Sequence, residues 1–223
     1  MADDLEAGDI STELGMSVEV TVADGEKMVD GAKILDADTN ATNGVMHTIG
    51  EVMLPPSLLD VLSGVDRFAT FVGALETAGL EEMFGWVNKG GAMHTVFAPT
   101  NAAFTALIEA DDNIPDLVTL LDLPNLAEIL QYHVVPGKMT AADLTAGELS
   151  TLTAAGNLTV ALPETGATVD GAALQAADIM AGNGVIHEIG VVLMPPEEEV
   201  SEASGAAAWG VAVALAAVVV RRV

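Results

Sequence analysis

Four histidines, at positions 47, 94, 133 and 187, are the residues of this chain best suited to hold a metal or move a proton. Two imidazoles on one helix face need His-x-x-x-His, and on one strand face His-x-His. Neither spacing occurs. Cysteine is absent, which removes disulfides, thiolate ligands and a Cys nucleophile. No Gly-x-Ser-x-Gly elbow, phosphate loop or dinucleotide fingerprint is present. Carboxylates are abundant, but Asp111-Asp112 and Glu197–Glu199 lack the ligand spacing of a calcium loop and read as solvated charge. The chain reads as a non-enzyme with no metal and no cofactor.

Two of those histidines occupy one position of a passage written twice. Val29–Pro56 reads VDGAKILDADTNATNGVMHTIGEVMLPP, and Val169–Pro196 reads VDGAALQAADIMAGNGVIHEIGVVLMPP. The offset is constant at 169 − 29 = 140, and 16 of the 28 positions are identical, so this is duplication at the length of a domain. Asp4–Thr12 likewise repeats Asp143–Thr151, with a one-residue slip before the next strand. The second copy is preceded by a long stretch from Ser57 that the first copy lacks. Strands without those partners leave an apolar face and an open edge, so residues 1–56 are expected to be disordered alone or to pack against 57–196. They are also open to self-association.

Half of the residues are hydrophobic, enough for a core, but only 4% are aromatic, so that core is built from Ala, Val, Leu and Met. Lys and Arg number 7 against 33 Asp and Glu, a net charge of −26. Such a surface repels phosphates and argues against a nucleic-acid partner.

The elements that must position the motif residues follow from local signals. Ser57 is an N-cap for Leu58-Leu-Asp-Val-Leu, and Phe68, Phe71, Val72 and Leu75 share one face of a second helix that ends at Gly79. Gly90-Gly91 turns into a strand at His94–Ala98, which Pro99-Thr100-Asn101 breaks into a helix carrying Phe104, Leu107 and Ile108. Pro115 and Pro124 are expected in the first turns of two more helices, the second ending in Tyr132-His133. From Val134 the period becomes two: Leu158–Leu162, Thr168-Val169, Ala177–Met180 and Val185–Ile189 read as strands. Asp170-Gly171 and Asn183-Gly184 are hairpin signals because both pairs tolerate positive φ. Helices first and antiparallel strands second make the chain α+β.

Three marks in order carry a resemblance: Thr95–Phe104 (TVFAPTNAAF), Tyr132-His133 after an apolar helix, and Asn183–Pro195 (NGVIHEIGVVLMP). Together they resemble the fasciclin domain family. The resemblance covers residues 57–196 as a complete domain and 1–56 as the C-terminal half of another. The first copy keeps Asn43-Gly44-Val-Met-His47 but has no counterpart of Pro99, Thr100 and Asn101 or of the Tyr-His pair. The implied fold is a two-sheet β-wedge with helices packed alongside. The implied function is cell-surface adhesion or extracellular-matrix contact, with surface or matrix proteins or glycans as partners. Some fasciclin-like proteins instead bind apolar small molecules such as carotenoids or lipids, an alternative that the Met- and Ala-rich interior leaves open.

Read from the residues alone, the marks are scaffold. Phe97 and Phe104 fill core positions, Asn101 caps helix N–H groups or pins the turn, and His187 is a satisfied histidine on the face of Val185 and Ile189; His47 reads the same way. Tyr132 and His133 stay open between an adhesion contact, implied by the resemblance, and an internal hydrogen-bonding pair. Asn40-Ala-Thr and Asn157-Leu-Thr are N-glycosylation sequons.

The amino terminus is acidic and has no apolar signal core, and Met1 is expected to be an internal methionine of a longer chain carrying an export signal. Residues 197–204 form an acidic linker. Gly205–Val220 is uncharged and ends at Arg221-Arg222. As a helix its 16 residues span about 24 Å, the lower edge of a membrane-crossing segment. Residues 205–223 are therefore read as a membrane or sorting tail, with arginines cytoplasmic and the domains outside, or as a lipid-anchor signal.

Overall fold

The computed structural model describes residues 6–13, 16–23, 25–85, 93–111, 113–163 and 166–196. The first repeat forms a five-stranded antiparallel meander: β1 (Gly8–Ser11), β2 (Ser17–Ala23), β3 (Glu26–Val29), β4 (Ala32–Ala41) and β5 (Gly44–Ile49). The second repeat forms the same meander from β8 (Gly147–Ser150), β9 (Asn157–Ala161), β10 (Thr168–Val169), β11 (Ala172–Ala181) and β12 (Gly184–Ile189). Here β6 (His94–Pro99) joins β12 in parallel and β7 (Val134–Pro136) flanks β6, giving the order β7-β6-β12-β11-β10-β9-β8.

The two meanders share their irregularities as well as their order. Gly8 pairs with Val20 and Gly147 with Val160, offsets of 139 and 140, which is the one-residue slip read in the sequence. Asp30 and Asp170 take φ of 47° and 46°, each followed by a glycine at 79°, so Asp-Gly turns connect β3 to β4 and β10 to β11. Asp38 and Asp178 sit at φ 62° and 60°, where the register shifts within β4 and within β11. A bulge of this kind bends a strand and raises its twist. β11 pairs with β10 through Ala172-Ala173 and with β12 from Leu174 to Ala181, across both register shifts, and Leu152 N–H, just after β8, donates to Val134 O of β7. This makes the wedge of two sheets.

Helices α1 (Leu58–Ser63), α2 (Ala69–Thr77), α3 (Glu81–Phe84), α4 (Asn101–Ala110), α5 (Leu117–Leu121) and α6 (Leu126–Tyr132) fill the stretch between the meanders, with a 3-10 turn at Asp66–Phe68. Ser57 caps α1 in a full capping box with Asp60. Thr100 caps α4 and Asp116 caps α5. Pro115 and Pro124 therefore lie one residue before the N-cap rather than in the first helical turn. Proline fits there because it has no N–H to contribute to the helix. A large core joins the helices to Val96, Ala98, Val134, Ala181 and Ile186. A second core, containing Phe97, Tyr132, Leu158, Val160 and Ile189, fills the wedge. Phe97 and Phe104 are both buried but serve different cores: on β6, Phe97 faces the wedge while Val96 and Ala98 face the helices, and Phe104 on α4 joins that helical side.

Asn183-Gly184 does close a hairpin, but neither residue takes positive φ. Gly184 lies within β12, and a Cβ there would come 2.1 Å from His94 O and 2.9 Å from Leu58 Cδ1. Close approach of β6 and α1, not turn geometry, requires this glycine. Gly90-Gly91, residues 197–204 and the tail 205–223 lie outside the described residues. Among the described residues no helix is long and apolar enough to cross a membrane.

Candidate interaction surface and the latch beneath it

His133 caps the C-terminus of α6 at the point where that helix enters β7. Its Nδ1–H donates to Ile129 O at 2.7 Å, and its Nε2 accepts from Leu193 N–H at 2.9 Å. Those partners fix the tautomer. Its own carbonyl accepts from Phe97 N–H, and Phe71 packs 6.0 Å away, centroid to centroid. Side chain and backbone together, this one residue ties α6, β6 and the segment after β12. Burial pushes its pKa down to about 4, against a smaller opposing effect of the Ile129 bond, so the ring is neutral at pH 7.

Tyr132 works beside it. Its hydroxyl donates to Asp170 Oδ2 at 2.8 Å and lies 3.1 Å from Asn157 O, anchoring α6 to β9 and to the β10–β11 turn. Burial, then the Asp170 bond and charge, hold the phenol well above its ordinary pKa. Both residues are buried, so neither presents a side chain to a partner. Of the two readings left open for the pair, the internal hydrogen-bonding one describes these contacts, which latch α6 in place with both rings buried.

The other motif residues are joined by equally specific bonds. Asn183 Oδ1 accepts from Leu58 N–H, and its Nδ2 donates to Phe84 O and Gly85 O, so the hairpin tip caps α1 and holds the end of α3. Asn101 Oδ1 accepts from Thr70 N–H while its Nδ2 donates to Asp66 O, capping α2 from another helix. His187 Nε2–H donates to Met139 O, its Nδ1 accepts from Asp178 N–H, and the ring stacks on Phe97 at 5.5 Å. Burial lowers its pKa, partly offset by the Met139 bond and Asp178. In both His133 and His187 the two ring nitrogens are already used, so neither has a lone pair to give a metal. Pro99 and Thr100 are buried at the β6–α4 junction.

In the first meander, His47 Nδ1 accepts from Asp38 N–H as His187 does from Asp178, but its ring is only half-buried. Asn43 and Gly44 are exposed. The sequon residues Asn40 and Asn157 are both exposed, on β4 and β9.

Sequence reasoning missed Arg67–Glu188, a 2.7 Å ion pair between the 3-10 turn and β12, and missed Asp170 as the acceptor for Tyr132. The Arg-Glu pair spans 121 residues and has no local signature. Asp170 did have one, since VDG occurs in both repeats.

Other apolar side chains stand exposed on the outer surface. The segment after β12 exposes Val191, α5 exposes Leu117 and Val118, and Met93 stands exposed before β6.

The family model for the fasciclin domain matches residues 1–55 and 66–195. The pig protein "Transforming growth factor-beta-induced protein ig-h3" is 33% identical over 190 residues, 84% of this chain but 27% of that relative. Protein sll1483 of Synechocystis sp. is 39% identical over 140 residues, 63% of this chain and 74% of the relative. A solved FAS1 domain pair from the insect cell adhesion molecule Fasciclin I superposes with a TM-score of 0.52 at 17% identity, over 86% of this chain and 73% of that one. The duplicated meander, the Thr95–Phe104 turn and the Tyr-His latch thus have their explanation: the chain belongs to the fasciclin domain family.

Proposed function

We propose that this chain is a non-enzymatic adhesion or matrix-contact module, displayed on the outer face of the cell through the tail at 205–223. The family membership, together with the fold it shares with a domain pair of an insect cell adhesion molecule, carries this reading. The motif side chains support it, because His133, His187, Asn101 and Asn183 spend their polar atoms on internal bonds instead of meeting in a nucleophile–base pair. Tyr132 and His133 act on adhesion from within, by setting the height and angle of α6 and of the segment carrying Val191. The acidic surface favours partners with basic patches and makes capture salt-dependent.

The test is retention of beads coated with the full chain on cells and on deposited matrix proteins and glycans. Beads held above the level of albumin-coated ones, less so as salt is raised, are expected. Retention equal to albumin under all salt conditions overturns the proposal.

A further inference from the structure

The first meander keeps the receptor features that the second meander uses to hold its helical half, residues 57–142. Gly44 is the clearest. Its counterpart Gly184 is required because β6 and α1 leave no room for a Cβ, yet a Cβ on Gly44 would meet nothing within 4 Å. Nothing now around Gly44 explains a glycine. Asn43 repeats Asn183, which caps α1, but makes no side-chain hydrogen bond among the described residues. Asp30 grips Glu19 N–H with Oδ1 as Asp170 grips Thr159 N–H. Its Oδ2, in the place where Asp170 receives Tyr132, has no partner among the described residues.

The edge itself tells the same story. Asn183 O and Ile189 O accept from His94 N–H and Thr100 N–H, so the odd-numbered backbone groups of β12 face β6. The matching groups of β5 belong to Val45, His47 and Ile49 and lie on an open sheet edge. On this meander and the segment after it, Leu35, Met46 and Val52 are 63%, 60% and 85% exposed. Apolar side chains at an unpaired edge are what a native sheet avoids unless something covers them.

We infer that the first meander is a docking surface for a second fasciclin-type helical half, entering through the Asp4–Ser11 stretch as residues 57–142 enter through Asp143–Ser150. That occupant supplies a parallel strand for β5, a helix N-terminus for Asn43, a carbonyl for the Nε2–H of His47 and a tyrosine for Asp30. Exchange with a second copy of this chain does not meet the need, because each copy brings two sheets and one helical half, and the number of uncovered sheets is unchanged. The occupant also differs in one respect from residues 57–142. Glu188 pairs with Arg67, but its counterpart in β5 is Thr48, so the residue at that position has no acid to meet.

The experiment extends the full chain by joining a second copy of residues 57–142 directly to Asp4, and follows amide hydrogen exchange of the β5 peptides. Protection of Val45, His47 and Ile49 is expected to rise by roughly 100-fold or more over the unextended chain. Gly44→Ala is expected to abolish that gain in the extended chain while leaving the unextended chain unchanged. A second extended chain, carrying Arg67→Thr in the added copy, guards against failure from the unpaired arginine. Unchanged β5 exchange in both extended chains overturns the proposal. So does an unextended chain that dimerises with β5 already protected.

Discussion

β5 reads GVMHTI and β12 reads GVIHEI, and they close the same five-strand meander, yet every residue of β12 is buried and none of β5 is. Composition cannot account for this, since Val45 and Val185 are one residue type on one kind of strand. The difference comes from β6 and the helices, which cover one copy and leave the other open. Backbone shape behaves differently: the positive-φ aspartates and register shifts recur at matched positions in both copies. The meander therefore specifies its own path, while its burial is conferred from outside.

The sharpest way to break this comparison is to place a methyl group on the paired glycines. Gly184→Ala drives a Cβ into His94 O and is expected to cost about 3 kcal/mol or more. Gly44→Ala meets nothing and should stay within about 0.5 kcal/mol. Denaturant midpoints of the two variants decide the matter; equal losses would mean that the two glycines serve a local role.

Next comes the histidine pair. His187→Ala removes two hydrogen bonds and the Phe97 stack, and about 3 kcal/mol is expected. His47→Ala loses one long bond at a half-buried site, with about 0.5 kcal/mol expected from the same unfolding curves.

Acid should act on the covered unit through His133. His133 has its pKa depressed from 6.5 to about 4 in the fold, so between these values the unfolded chain binds the extra proton. Stability contributed by the neutral ring is complete above pH 6.5 and is lost as pH falls toward 4. The expected contribution is about 3 kcal/mol, read as the difference in slope of stability against pH between the natural chain and His133→Gln. Parallel slopes would remove His133 from the account.

Tyr132→Phe should cost about 1 kcal/mol, by leaving Asp170 Oδ2 without its donor. Asp30→Asn tests the same turn where no tyrosine reaches it, and is expected to cost less than Asp170→Asn in thermal unfolding. Equal costs would show that the aspartate serves only its turn.

The legible parts of this molecule were those decided within a few residues. Ser57 as a cap, the Asp170-Gly171 turn, the Phe68/Phe71/Leu75 face and the β12 period all stand where the pattern put them. Short strands were harder: β7 and β8 have three and four residues and carry no alternation to read. Asn183-Gly184 resembled a turn because turns and close contacts both select glycine, and sequence does not separate the two reasons. The Tyr132-His133 pair was legible as a motif, and an internal hydrogen-bonding role was one of its two readings, but its partners Leu193 and Asp170 lie 60 and 38 residues away and were not legible.

The sequence by itself determined that this is an α+β fasciclin chain with a duplicated meander, because hairpin turns, caps and alternation act over distances of a few residues. Only the tertiary structure decided which copy became core, and that the Tyr-His pair points inward. Burial depends on what arrives from far along the chain, and two nearly identical strands carry no record of which one will be met.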